Sequence, residues 1–250
     1  MRSLGPLVLA GLRQRYAGSV LGALWGFLGP FVEVAAYVAL FSLLLPPGDT
    51  RERYTFPLAV TAGLLPWASL RETLESAAGA LPEHRWIRRS RVPLELLIGK
   101  LVLVASARGL VGLLLVQIAA AVGGTLPGIE AVALPLLAFA LQVVACWGLA
   151  LGAAPLGVLF PDSRPALASG LTLLTFASPI VYPEHLVSGP LAIALEWNPY
   201  THLLRLFRLP LEPGVPVWSS LAVSAAFAAA CLALGTLLRR RLWWSARDRL

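Results

Sequence analysis

Apolar positions in this chain come in long unbroken blocks, separated by short stretches rich in Gly, Pro and charge. Six blocks lie near 22–45, 56–79, 94–122, 131–159, 165–182 and 217–238. A helix rising about 1.5 Å per residue needs about 20 such residues to cross roughly 30 Å of hydrocarbon, so each block predicts a membrane span, the fifth being short. The stretches between them hold helix breakers: PPGD at 46–49, GGTLPG at 123–128 and FPDSRP at 160–165. The expected fold is an all-α polytopic membrane protein, with residues 1–250 forming a single transmembrane domain of six transmembrane helices.

Two segments fit neither span nor simple loop. Residues 3–19 are too polar to cross, yet Leu4, Leu7, Val8, Leu12 and Tyr16 fall roughly on one face, with Arg13, Gln14 and Arg15 toward headgroups. That pattern predicts an N-terminal interfacial helix. Residues 183–216 are longer than a connection needs. They carry two short apolar pieces, LAIALEW at 191–197 and HLLRLFRL at 202–209, joined by NPY. Each is far too short to cross, so an outer re-entrant hairpin between spans 5 and 6 is expected. Backbone at that depth is tolerated only where it lines protein or water.

Composition strengthens the membrane reading. Charged residues make up 13% of the chain and hydrophobic ones 58%, against about 25% charged in ordinary soluble domains. The net charge of +7 does not point to nucleic acid, because the arginines sit between apolar runs rather than on a soluble face. On the predicted topology, thirteen of the 20 basic residues fall on one side and four on the other. The positive-inside bias therefore places both termini and the 82–92 loop in the cytoplasm. Arg2 before LGPLVLAGL is reminiscent of a signal peptide, but RQR follows at once with no small-residue cleavage site, so no removable leader is expected. Cys146 and Cys231 show neither metal-ligand nor disulfide spacing.

Charges inside spans are costly and need partners. Arg71 and Glu75 are four apart and can pair, and Lys100 lies close enough to its span's start to snorkel. Glu33 and Arg108 lie deeper, at about 16 and 21 Å from the cytoplasmic ends of their spans by helical rise, and these similar depths predict an intramembrane ion pair, with a substrate contact as the rival reading. GxxxG at Gly148 and Gly152 reads as a close packing face. The chain has no GxxxxGK[ST], hence no P-loop, and His84, His185 and His202 make no metal or nucleophile pattern. An enzyme with an outer-face site using Glu184, His185, Glu196 and His202 is the rival from another class.

Several stretches, taken in order, resemble a known family. RQRYAGSVLGALWGFLGP (13–30) is similar to the start of the first span in the permeases of ABC-2 type exporters, in particular the polysaccharide and polyol-phosphate export family. AGLLPWASLRETL (62–74) is similar to that family's second span. RWIRRSRVPLELL (85–97) resembles its basic cytoplasmic loop, with Val92 where Phe is usual. LFPDSR (159–164), with Pro161–Asp162 replacing the usual Arg-Asp, SPIVYP (178–183) and EWNPYTHLLRLFR (196–208) complete the series.

The resemblance implies an inner-membrane exporter of a lipid-linked polysaccharide or polyol-phosphate polymer such as O-antigen or teichoic acid. It would work as a homodimer docked on two copies of a separate ATPase, which would hold the ATP and Mg; this chain would bind no cofactor and no nucleic acid. The loop after the second span would be the ATPase-coupling element. There Trp86 and Ile87 form an apolar anchor, and Glu83, His84, Arg85, Arg88 and Arg89 surround it. The outer hairpin would line the channel mouth, where Trp197, Tyr200 and Phe207 stack on sugar rings and Arg205 and Arg208 meet phosphates; residue by residue, an aromatic belt with interfacial arginines is the simpler reading. Export of a drug, lipid or other small hydrophobic molecule is the alternative within the same class.

Overall fold

A computed structural model of the chain describes residues 5, 8–11, 18–44, 50–83, 93–125, 128–182, 184, 187–212 and 214–249. Among them the architecture is helical throughout. A 3-10 turn, Gly22–Leu24, opens into α1 (Trp25–Leu44), followed by α2 (Thr50–Glu83), α3 (Leu94–Val122), α4 (Glu130–Leu159) and α5 (Ser163–Ala177). Two short helices, α6 (Pro190–Trp197) and α7 (Pro199–Arg208), precede the long α8 (Val217–Arg249).

The helix boundaries follow local chemistry. Pro93 stands immediately before α3 in an extended conformation, as a residue with fixed φ and no N–H can at a helix start. Gly123 and Gly124 close α3, with Gly124 at φ +68°, a conformation that costs glycine little. Among the described residues three helices, α3, α4 and α8, are long and apolar enough to cross a membrane, while α1 holds a shorter apolar stretch over Leu28–Leu40.

The helix within the fifth apolar block stops at Ala177, while the block itself runs to about 182, because Ser178 precedes Pro179 and is held extended at φ −113°, ψ 146°. The proline ring disfavours helical backbone at the residue before it. Fifteen residues give about 22 Å of rise, short of a full hydrocarbon crossing. Conversely α8 runs eleven residues past its apolar block, to Arg249.

The core lies between α2, α3, α4 and α7. Leu65, Ile98, Val102, Leu113, Ala138, Leu203 and Phe207 are all buried. The most extensive pairing joins α4 to α8, and α2 packs on both α3 and α4. A Cβ at Gly235 would land on the carbonyl of Gly148, and one at Gly148 would strike the backbone of Cys231. Without side chains at these two positions, α4 and α8 touch backbone to backbone. Residues 8–11 are helical. A Cβ added at Gly11 would lie 2.6 Å from Lys100 Cε, so this segment rests against α3. Arg13, Arg15 and Tyr16, the residues expected on the interfacial helix, lie outside the described residues.

Candidate functional site at the α6–α7 hairpin

The turn between α6 and α7 is built by Asn198 and Pro199. Asn198 caps α7, its side-chain oxygen accepting from the Tyr200 N–H at 3.0 Å, while Pro199 takes the first helical position. The Asn198 amide also donates to Ser178 Oγ at 2.9 Å, fastening the turn to the end of α5. From Tyr200 to Arg208 every residue of α7 is buried. This helix is therefore enclosed by protein on all sides, and its polar side chains need partners.

Those partners come from the whole bundle. Tyr200 OH donates to Gln142 Oε1 on α4 at 3.3 Å, and Gln142 Nε2 donates to the Pro66 carbonyl on α2 at 2.8 Å. The Tyr200 ring meets Trp67 edge-on, with centroids 4.8 Å apart, and Trp67 Nε1 donates to Thr175 Oγ1 on α5 at 2.8 Å. His202 sits between Ser220 Oγ at 3.3 Å and the Glu196 carbonyl at 3.1 Å. Trp67 stood in the motif at 62–74 without an assigned role, and Gln142 and Thr175 were not singled out from sequence. The available signal was the isolated polar residue within an otherwise apolar block.

Two arginines complete the site. Arg205 reaches both Glu184 and Glu196, with Nε at 2.9 Å from Glu184 Oε2 and Nη1 at 3.1 Å from Glu196 Oε2, while Nη2 also bonds to each carboxylate. The Arg205 hydrogen bond holds the Glu196 carboxyl below the usual carboxylate value. Arg208 instead donates to two main-chain carbonyls, Ala59 on α2 at 2.9 Å and Ile180 at 2.7 Å. A cavity of about 620 Å³ opens beside Arg205, with Glu184, Glu196 and Glu212 contributing acid groups and Ile193, Val215 and Pro216 apolar walls.

The structure thus separates the five residues expected at a channel mouth. Trp197 is exposed and free to meet a ligand or lipid. Arg205 borders the cavity but spends its guanidinium on two carboxylates. Tyr200, Phe207 and Arg208 are interior packing and tethering residues within the protomer. Their burial follows from α7 inserting among α2, α4 and α8, which apolar runs of seven or eight residues do not reveal.

Elsewhere, Arg108 Nη2 bonds to Glu33 Oε1, joining α3 to α1, and Arg71 Nε bonds to Glu75 Oε1 at 2.8 Å. Glu83 is the last residue of α2. His84, Arg85, Trp86, Ile87, Arg88 and Arg89 lie outside the described residues.

The long apolar helices, with two short helices beside them, are consistent with a helical membrane protein. No protein-family model matches the chain. It is 28% identical over 205 residues to the O-antigen export system permease protein RfbA of Myxococcus xanthus, covering 81% of this chain and 77% of the relative. It is 26% identical over 237 residues to the polysialic acid transport protein KpsM of Escherichia coli, covering 94% and 91%. RfbA of Klebsiella pneumoniae is 21% identical over 199 residues, covering 79% and 75%. The homologues are thus ABC-2 type polysaccharide-export permeases, as the ordered motifs implied.

Proposed function

We propose that the chain is the permease subunit of an ABC exporter that moves a lipid-linked polysaccharide or polyol-phosphate polymer across the bacterial inner membrane. ATP is hydrolysed on a separate subunit. The observation that carries this reading is similarity to O-antigen and polysialic acid permeases over most of the chain. Two copies of the chain form the path, each docked on one ATPase. Six helices, α1 to α5 and α8, make up the membrane bundle with both termini in the cytoplasm, the chain beyond Ala177 completing the passage that α5 begins, so that α6 and α7 form a hairpin dipping in from the outer face. Tyr200 supports the dip: it contacts Gln142, twelve residues into α4, about 18 Å along that helix by rise.

On this reading the segment after α2 couples the ATPase to the path, with Trp86 and Ile87 in the ATPase groove and Glu83, His84, Arg85, Arg88 and Arg89 at its rim. Trp197 and the cavity beside Arg205 face the outer side, where the polymer leaves. The outer-face enzyme is the weaker alternative, since Glu184 and Glu196 are committed to Arg205 and His202 to Ser220 and a carbonyl.

A pull-down in mild detergent from native membranes tests the proposal. A P-loop ATPase is expected in roughly equal amount, with at least a ten-fold loss when Trp86 and Ile87 both become Ala, as removal of two anchor residues at more than about 1 kcal/mol each implies. A preparation free of any ATPase would sink the exporter reading.

A further inference from the structure

The end of α8 holds a feature that the transport reading leaves unused. Val217 to Leu238 is the apolar part of the helix, 22 residues or about 33 Å, which matches the hydrocarbon thickness. The remaining RRRLWWSARDR (239–249) continues as helix beyond it. Two contacts anchor this extension to the bundle: Arg239 pairs with Glu95 in the first turn of α3, and Arg249 Nη1 donates to the Leu159 carbonyl at the end of α4 at 3.2 Å.

The other basic residues are turned outward. Arg240, Arg241, Trp244 and Arg247 are exposed, and among the described residues no carboxylate pairs with Arg240, Arg241 or Arg247. Steps of three and four place Arg240, Trp244 and Arg247 on one stripe of the helix. The same stripe continues back through Leu237 and Ala233, both exposed, within the apolar part. The Arg247 guanidinium lies 5.8 Å from the Trp244 ring centroid, close enough for a cation–π contact. A topology signal alone needs basic charge, not this alignment of an outward apolar stripe with an outward basic and aromatic one.

We propose that this stripe is a binding site for an anionic phospholipid of the phosphatidylglycerol type. The acyl chains lie along Ala233 and Leu237. The phosphodiester sits between Arg240 and Arg247 at headgroup depth, where Trp244 has the ring suited to a bilayer interface. Charge complementarity and continuity with the lipid-facing stripe favour lipid over a soluble protein as the occupant. The inference rests on α8 crossing the bilayer and is independent of the cargo.

The test uses the full chain in nanodiscs of equal phosphatidylglycerol and phosphatidylcholine, extracted into mild detergent, with retained lipid counted by mass spectrometry. Phosphatidylglycerol should be enriched. Arg240→Gln with Arg247→Gln should cut the enrichment by roughly five-fold per arginine, about 25-fold together, whereas Arg240→Lys with Arg247→Lys should keep most of it. Helix content and elution volume report that the variants are folded, as substitutions at exposed positions should leave them. Equal retention of both lipids by the unaltered protein overturns the proposal. So does a Gln pair that leaves enrichment intact; loss of a co-purifying ATPase from that pair would assign the stripe to a protein partner instead.

Discussion

Arg205 and Arg208 lie three residues apart on α7 and meet the cost of burial in opposite ways. Arg205 is held by two carboxylates, Glu184 and Glu196; Arg208 is held by the main-chain carbonyls of Ala59 and Ile180. From sequence both looked alike, a pair of cations near an aqueous face, because the charges that neutralise Arg205 belong to residues 9 and 21 positions away. The Arg205 clasp predicts a pH effect. The folded-state pKa of Glu196 is depressed from about 4.5 by its hydrogen bond to Arg205, so its stabilising contribution is complete above that value. It is lost as pH falls through the lower folded value. Thermal unfolding in detergent should therefore show stability falling in acid below about pH 4.5. Glu196→Gln should flatten part of that slope. The effect should be under about 1 kcal/mol, since the Glu196 side chain is 58% exposed. An identical acid slope in the variant would show that the clasp carries no such linkage.

At the scale of helices, the pairing of α4 with α8 depends on two glycines that meet backbone to backbone. The GxxxG at Gly148 and Gly152 was legible as a packing face, but its partner Gly235 was not, since small residues are frequent all along α8. Gly235→Val should force the helices apart, because the new Cβ would fall on the Gly148 carbonyl. A loss of about 1–3 kcal/mol is expected, typical of overpacking. Ala226→Val, at an exposed position of the same helix, should change stability by less than about 0.5 kcal/mol. Similar losses from both substitutions would argue against the close crossing. The fifth block shows the limit of reading hydropathy alone: apolar residues continue through Ser178–Pro179, but helical backbone does not.

At the scale of the molecule, the orientation of the bundle is a separate question from its packing. The arginine bias predicts the α4–α5 connection in the cytoplasm and the α3–α4 connection outside. Cysteines placed singly at Gly128 and Asp162, in a chain with Cys146 and Cys231 changed to Ala, separate the two orientations. A membrane-impermeant maleimide should label the Gly128 position in intact spheroplasts, and the Asp162 position only after lysis. Labelling in the opposite order would invert the topology, and with it the assignment of the α6–α7 hairpin to the outer face. Both positions are exposed in the folded chain, so failure to label would not arise from burial within the protomer.

An all-helical architecture and similarity to polysaccharide-export permeases were legible from residue order, because each depends on runs of neighbouring side chains and on short ordered motifs. Tertiary structure alone decided which polar groups meet. Trp67 and Thr175, or Arg208 and Ala59, are separated by 108 and 149 positions. Hydropathy reports how each residue prefers water or lipid, and it is blind to such pairings. Once α7 is enclosed by the bundle, its buried polar side chains turn to whichever helix lies alongside, and Tyr200, His202, Arg205 and Arg208 find partners while Thr201 Oγ1 is left without one. The three-dimensional packing therefore turned three of the five expected channel residues into interior ones and left Trp197 exposed.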